Sequence, residues 1–212
     1  MLDALLFTKT PKLFTSLYPE CLWRVDTKEK VLYLTFDDGP IPEVTPFVLD
    51  ELKKYKAKAT FFCIGKNVEE NSAIFKRIIK EGHSIGNHTQ NHMSGWGHKN
   101  KDYFANIEQC KSVLAGHGAP ASNLFRPPYG RLTPSQYKNL KLKYRIVMWD
   151  VISFDFDLKT RRSSVLKRVL KYGEPGSIIV FHDSLKAKKR MEFALPKVLA
   201  HFSAKGFKFE KL

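Results

Sequence analysis

Apolar residues in this chain fall into short continuous runs, separated by longer stretches in which they recur every three or four positions. Val31–Phe36, Ala59–Ile64, His83–Asn87, Leu124-Phe125, Arg145–Val151, Ser177–Phe181 and Phe207–Phe209 are runs of the first kind and predict strands. Glu43–Tyr55 sets Val44, Phe47, Val48, Leu52 and Tyr55 near helical spacing, and Asn67–Lys80, Asp102–Leu114, Thr160–Lys171 and Phe193–Ala204 read as helices in the same way. Thr133-Pro134 marks a further helix start, a hydroxyl cap followed by proline in the first turn, and Gly206 ends the last helix. About seven strand–helix units in succession predict an α/β chain with a parallel sheet and helices outside it. That number of units favours closure into a barrel over an open sheet, and no glycine-rich fingerprint follows the first strand. With 212 residues against the roughly 250 of a full eightfold barrel, the expectation is a distorted parallel (β/α) barrel. Residues 1–30 are expected to form an N-terminal extension packed on a domain spanning 31–212.

Composition narrows the class. Hydrophobic residues at 43% exclude a disordered chain, and no apolar run reaches the roughly 18 residues of a spanning helix. Cys21, Cys63 and Cys110 are odd in number and widely spaced, which reads as inert thiols and not as a disulfide framework or a cysteine zinc site. The net charge is +15, and it is uneven: residues 1–50 carry 5 basic and 8 acidic side chains, while residues 157–212 carry 14 and 5. Such a field could draw nucleic acid, anionic lipid or acidic cell-wall polymer. No zinc-finger spacing or helix-turn-helix signature accompanies it, so no nucleic-acid partner is expected. The start, MLDALLFTKTPKLF, has no cationic head and no small-residue cleavage site, so a cytoplasmic or membrane-peripheral location is expected over secretion. Its Leu5, Leu6, Phe7, Leu13 and Phe14, interspersed with lysine, would suit peripheral contact with an anionic membrane. A monomer is expected.

Polar residues gather just after the strands, and in a parallel barrel those ends share one face. Asp37-Asp38 leaves the first strand and runs into Gly39-Pro40. Adjacent carboxylates there point different ways, so one can bind a metal and its neighbour act as a base, although Asp-Gly-Pro is also ordinary turn chemistry. His88 and His92 stand four apart; on a helix both imidazoles would lie on one face and grip one metal. Two histidines and a carboxylate leave open positions, as a catalytic metal requires. Arg126-Pro127-Pro128-Tyr129-Gly130 is a rigid turn that could hold Arg126 and the Tyr129 backbone N–H at the pocket mouth. His182 ends a strand that reads as buried, and is either a satisfied core residue or a proton donor. Asp155 lies past the fifth strand and Asp183 follows His182. His83 reads as structural, and His98, His117 and His201 as surface residues.

In this order, Thr35-Phe36-Asp37-Asp38-Gly39-Pro40, His88-Thr89-Gln90-Asn91-His92, Arg126-Pro127-Pro128-Tyr129 and Val180-Phe181-His182 resemble the motifs of the polysaccharide deacetylases, the NodB-homology domains of carbohydrate esterase family 4, over residues 31–210. The resemblance implies that Asp38, His88 and His92 bind a divalent metal, zinc first and cobalt or another transition ion as alternatives. It implies Asp37 as general base, Arg126 as the residue that positions it, the Tyr129 N–H as an oxyanion donor, His182 as general acid and Asp155 as the residue that orients His182. The fourth motif departs from the family pattern: Ile152 and Phe156 stand where an aspartate and a tryptophan are usual, which bears on substrate range. The implied activity is removal of N-acetyl groups from amino sugars in chitooligosaccharide or peptidoglycan. Alternatives are a deformylase or deacetylase of a lipid-linked amino sugar, an O-acetyl esterase, and a non-catalytic metal-containing carbohydrate binder.

Overall fold

A computed structural model describes residues 7–212; Leu5 and Leu6 lie outside them. The apolar runs become strands β1 (Val31–Asp37), β2 (Ala59–Cys63), β3 (Ser84–Asn87), β4 (Leu124–Phe125), β5 (Arg145–Ile146), β6 (Val151–Ile152), β7 (Ile178–His182) and β8 (Lys208–Phe209). The first seven pair in parallel in the order β5-β4-β3-β2-β1-β7-β6, and β8 adds to the start of β1. The sheet curls into a distorted (β/α) barrel. Helices α1 (Lys12–Leu17), α2 (Thr45–Lys54), α3 (Gly65–Glu70), α4 (Ser72–Lys80), α5 (Asn100–Gly116), α6 (Pro134–Leu140), α7 (Arg162–Tyr172) and α8 (Lys188–Ala204) complete it. None of these helices is long and apolar enough to cross a membrane.

The two-residue period of β1 sorts its side chains. Leu34 and Phe36 pack with Phe61, Ile179 and Phe181 against Val48 and Leu52 of α2 and Leu195 and Val198 of α8, all buried in the main core. Burial of each such side chain stabilises by about 1.5–3 kcal/mol. Thr35 and Asp37 face the other way, toward the barrel interior. There β7 lies in register, with Thr35 opposite Val180 and Asp37 opposite His182.

The gap between β5 and β6 is bridged by the beginning of the chain. Leu22 accepts from Met148 N–H and donates to Ile146 C=O, both at 2.8 Å. Thr8 C=O accepts from Ile152 N–H at 2.9 Å, and Lys9 pairs with Asp150 at 2.8 Å.

Three predicted elements differ from those formed. The single strand expected over Arg145–Val151 is two short ones, because the Val147 and Met148 carbonyls turn to accept from Arg126 Nε and Nη2 at 3.2 and 2.8 Å. The helix expected over Asn67–Lys80 breaks at Asn71, whose φ is −130° and whose side-chain amide donates to the Pro40 and Asn67 carbonyls. The last helix begins at Lys188, ahead of Phe193, because buried Met191 extends the apolar stripe of Ala194 and Leu195 by one turn.

Candidate active site

The carboxyl ends of β1, β3, β4 and β7 bring Asp37, Asp38, His88, His92, Arg126 and His182 together. Among the described residues, six non-glycine positions have left-handed backbone, and five of them, Asp38, Thr89, His92, Tyr129 and Phe154, lie in the loops of this face. Such backbone costs of order 1–3 kcal/mol per residue and persists where its surroundings hold it. At Asp38 (φ 85°) the holders are visible. Asn67 Nδ2 donates to the Asp38 carbonyl at 2.6 Å, and the next amide, Gly39 N–H, donates to Asp183 Oδ1 at 3.0 Å.

His88 and His92 do converge, but not on a helix. The segment after β3 is a loop, turned by left-handed Thr89 (φ 67°) and His92 (φ 59°). The turn is pinned by Thr89 N–H donating to Asn87 Oδ1 and Gln90 N–H donating to Asn106 Oδ1, both at 2.8 Å. The result leaves the two imidazole centroids 5.0 Å apart. Their Nε2 atoms lie 3.8 and 3.3 Å from Asp38 Oδ1, and one ligand atom from each of the three residues falls within 4.8 Å of the others.

This cluster fits a divalent metal. Asp38 Oδ1 is buried with no hydrogen-bond partner, an arrangement that costs free energy unless something occupies the site. His88 Nδ1 lies 2.7 Å from the Arg126 carbonyl, so Nδ1 carries the proton and Nε2 presents its lone pair. His92 Nδ1 lies 3.2 Å from the Tyr129 hydroxyl, which leaves its Nε2 facing the same point. Burial, reinforced by His88, holds His92 down to about 4, so at neutral pH it is an uncharged imidazole. Burial pushes the Asp38 carboxyl up, but His182, His88 and His92 together outweigh it and hold that carboxyl below its usual value.

Asp37 is buried beside this cluster and is paired to a fully buried Arg126, whose Nη1 lies 2.7 Å from both Asp37 Oδ1 and Thr35 Oγ1. The guanidinium also lies over the Phe62 ring, 4.1 Å from its centroid. Burial lowers the Arg126 pKa, and Asp37 opposes that. On the neighbouring strand, His182 Nδ1 donates to Asp155 Oδ1 and its backbone N–H to Asp155 Oδ2, both at 2.8 Å. Burial works against the imidazolium, but the Asp155 charge and hydrogen bond, aided by Asp38 and Asp37, raise His182 to about 9. Phe156 lies edge-on to His182 with centroids 4.9 Å apart. Tyr129 lies against His92, 4.6 Å between centroids.

Asp183 is fully buried and received no role from the sequence. Its carboxyl accepts from Gly39 N–H and, at 2.6 Å, from the Thr45 hydroxyl, while its own N–H donates to the Asp37 carbonyl. Burial raises it to about 8 against those two bonds. It ties the Asp37-Asp38-Gly39 turn to α2 and to the end of β7. Thr35 and Asn67 are two further supports without an assigned role; a hydroxyl inside an apolar strand was the one available signal, for Thr35. Of the remaining histidines, His83 is structural: its Nδ1 accepts from Ala59 N–H at 3.2 Å, and burial lowers it to about 4. His98 is exposed, whereas His117 and His201 are half-buried beside the ends of α5 and α8, not on the open surface. The three cysteines are buried, and burial pushes Cys21 and Cys110 up to about 12, which makes those thiols unreactive.

A family model described as polysaccharide deacetylase matches residues 24–147. A peptidoglycan-N-acetylglucosamine deacetylase of Bacillus cereus is 35% identical over 189 residues, with 88% of each chain covered. A chitooligosaccharide deacetylase of Azorhizobium caulinodans is 34% identical over 165 residues, covering 76% of this chain and 77% of the relative. The crystal structure of a peptidoglycan N-acetylglucosamine deacetylase, in complex with 4-naphthalen-1-yl-N-oxidanyl-benzamide, superposes with a TM-score of 0.87 at 33% identity over 96% of this chain and 95% of that one.

Proposed function

Because the chain belongs to the polysaccharide deacetylase family, we propose that it is a metal-dependent hydrolase that removes N-acetyl groups from amino sugars of peptidoglycan or chitooligosaccharide. One observation carries this reading. A carboxylate and a carboxylate-paired imidazole, Asp37 and His182, stand side by side on adjacent parallel strands next to the Asp38–His88–His92 cluster. Relatives that deacetylate peptidoglycan and chitooligosaccharide support the substrate class.

Asp38, His88 and His92 would hold a divalent cation, zinc first among those an N/N/O set admits, and such an ion would supply Lewis acidity toward the water and the acetamide carbonyl. Asp37 takes a proton from the attacking water, and Arg126 fixes the Asp37 carboxylate in position. The Tyr129 backbone N–H donates to the oxygen on which charge develops; loss of one such donor costs about 10²–10³ in rate. His182, held protonated at neutral pH by Asp155, gives its proton to the departing amine. Acetate leaves and a free amino sugar remains. Phe156 in place of the family's tryptophan leaves a smaller apolar surface beside His182, which bears on the acyl group accepted. A non-catalytic binder would have no use for an Arg126-held Asp37 or an Asp155-held His182.

The experiment is acetate release from N-acetylglucosamine oligomers and from purified peptidoglycan, with wild type and Asp37→Ala. Release by wild type with a loss of about 10²-fold or more in the variant supports the reading. Equal release by both proteins, or none by wild type from either polymer, refutes it.

A further inference from the structure

A groove of about 480 Å³ lies beside Tyr129, the residue that packs on His92 of the Asp38–His88–His92 cluster. Tyr129 and Trp96 line it from the site side, Met148 and Trp149 from the β5–β6 connection, and Leu13 and Phe14 from α1. Leu13 is 67% exposed at this groove.

Most polar groups of the lining are already engaged with the protein. The Thr10 hydroxyl donates to the Trp149 carbonyl at 2.7 Å, the Trp96 indole to the Leu132 carbonyl at 3.1 Å and the Trp23 indole to the Tyr18 carbonyl at 3.0 Å. The Tyr129 hydroxyl is occupied by His92. The Tyr137 hydroxyl is buried without a partner, and the Arg131 guanidinium is stacked 4.9 Å over Trp96. A sugar ring moved into this groove would surrender most of its water bonds for few replacements. A hydrocarbon chain surrenders none and gains apolar contact along its length. The groove also shares Tyr129 with the cluster, so a ligand in one adjoins the other.

We propose that this groove binds the hydrocarbon arm of an amphiphilic substrate, an N-acetylated amino sugar carried on an alkyl or isoprenoid chain, with the sugar at the Asp38–His88–His92 cluster. This rests on the deacetylase reading for the sugar end, whereas the arm's site stands on the groove alone. Two measurements keep them apart.

The first is tryptophan fluorescence of the full-length protein, since Trp23, Trp96 and Trp149 all line the groove. It is titrated with n-octyl β-D-glucoside below its micelle concentration and with methyl β-D-glucoside; neither carries an acetamide. The expected result is a saturable change with the octyl compound alone, weakened at least about fivefold by Leu13→Glu, a change at an exposed position that leaves the core intact. The second compares octyl and methyl β-N-acetylglucosaminides as substrates, with chitooligosaccharide as the control for deacetylation itself. The octyl compound is expected to show a KM at least about tenfold lower at similar kcat. No saturable octyl signal, or equal KM values, overturns the proposal. A saturable octyl signal with no acetate released from any substrate overturns the deacetylase reading and leaves the groove's ligand class standing.

Discussion

Replacement of Asp155 by asparagine isolates the charge that keeps His182 protonated. Asp155 is fully buried and accepts two 2.8 Å bonds from His182, one from the ring and one from the backbone. Asparagine keeps the shape and an acceptor for Nδ1–H but deletes the charge. Burial, which already opposes the imidazolium, then loses its main opponent, and the pKa falls from about 9 toward the ordinary imidazole value of 6.5. The drop of roughly 2.5 units corresponds to about 3.4 kcal/mol. At pH 8 the protonated fraction goes from about 90% to about 3%, so kcat/KM falls by about 30-fold, while at pH 5.5 the two proteins differ little in protonation. The sign also holds for stability. A raised histidine pKa stabilises the fold fully below about 6.5, and that contribution is lost as pH rises through about 9. The assay is the pH profile of acetate release from pH 5 to 10, with an NMR titration of His182 in both proteins. An alkaline limb at the same pH in wild type and Asp155→Asn would refute the assignment of Asp155 as the residue that holds the proton.

Other perturbations read different parts of the site. Arg126→Ala strands Asp37 as a buried, unpaired carboxylate, and a loss of about 3–5 kcal/mol, or roughly 10 °C in Tm, is expected in thermal melts; a Tm within a degree or two of wild type would contradict that pairing. Asp183→Ala leaves Gly39 N–H and the Thr45 hydroxyl unpaired, at about 1–3 kcal/mol each, and frees the turn that aims Asp38. Competition titration should show weaker zinc binding in that variant, and unchanged affinity would mean that Asn67 alone holds the turn. Gly39→Ala drives a Cβ into the Asp183 carboxylate, so a comparable loss of stability and of zinc affinity is expected; a neutral melt would argue against the contact.

Much of the barrel can be read from the chain because β1, β2 and β7 are long enough for their apolar runs to stand out. The two-residue strands β4, β5 and β6 carry little pattern of their own. The break between β5 and β6 has its cause 21 residues upstream, in the Arg126 bonds to the Val147 and Met148 carbonyls. The pairing of residues 8–22 with β5 and β6 is made mostly through main-chain groups, and the Lys9–Asp150 ion pair that joins it spans 141 residues, so no local pattern shows it.

Asp38, His88 and His92 can be picked out as candidate ligands from spacing and residue chemistry, and the family resemblance implies roles for them. The geometry that joins them was not. His88 and His92 meet through left-handed residues whose support comes from Asn87 and Asn106, one of them on α5. Asp183 was visible next to His182, but its work is to hold a turn 144 residues earlier, and no local pattern encodes that contact.

Zinc titration into chelator-treated protein, with acetate release from a chitooligosaccharide measured at each addition, reads metal dependence most directly. Activity near zero after chelation, rising linearly to a break at about one equivalent, is the predicted result, and His88→Ala and Asp38→Ala should show neither the rise nor the break. Full activity in protein shown to be free of metal, or full recovery in either variant, would contradict it.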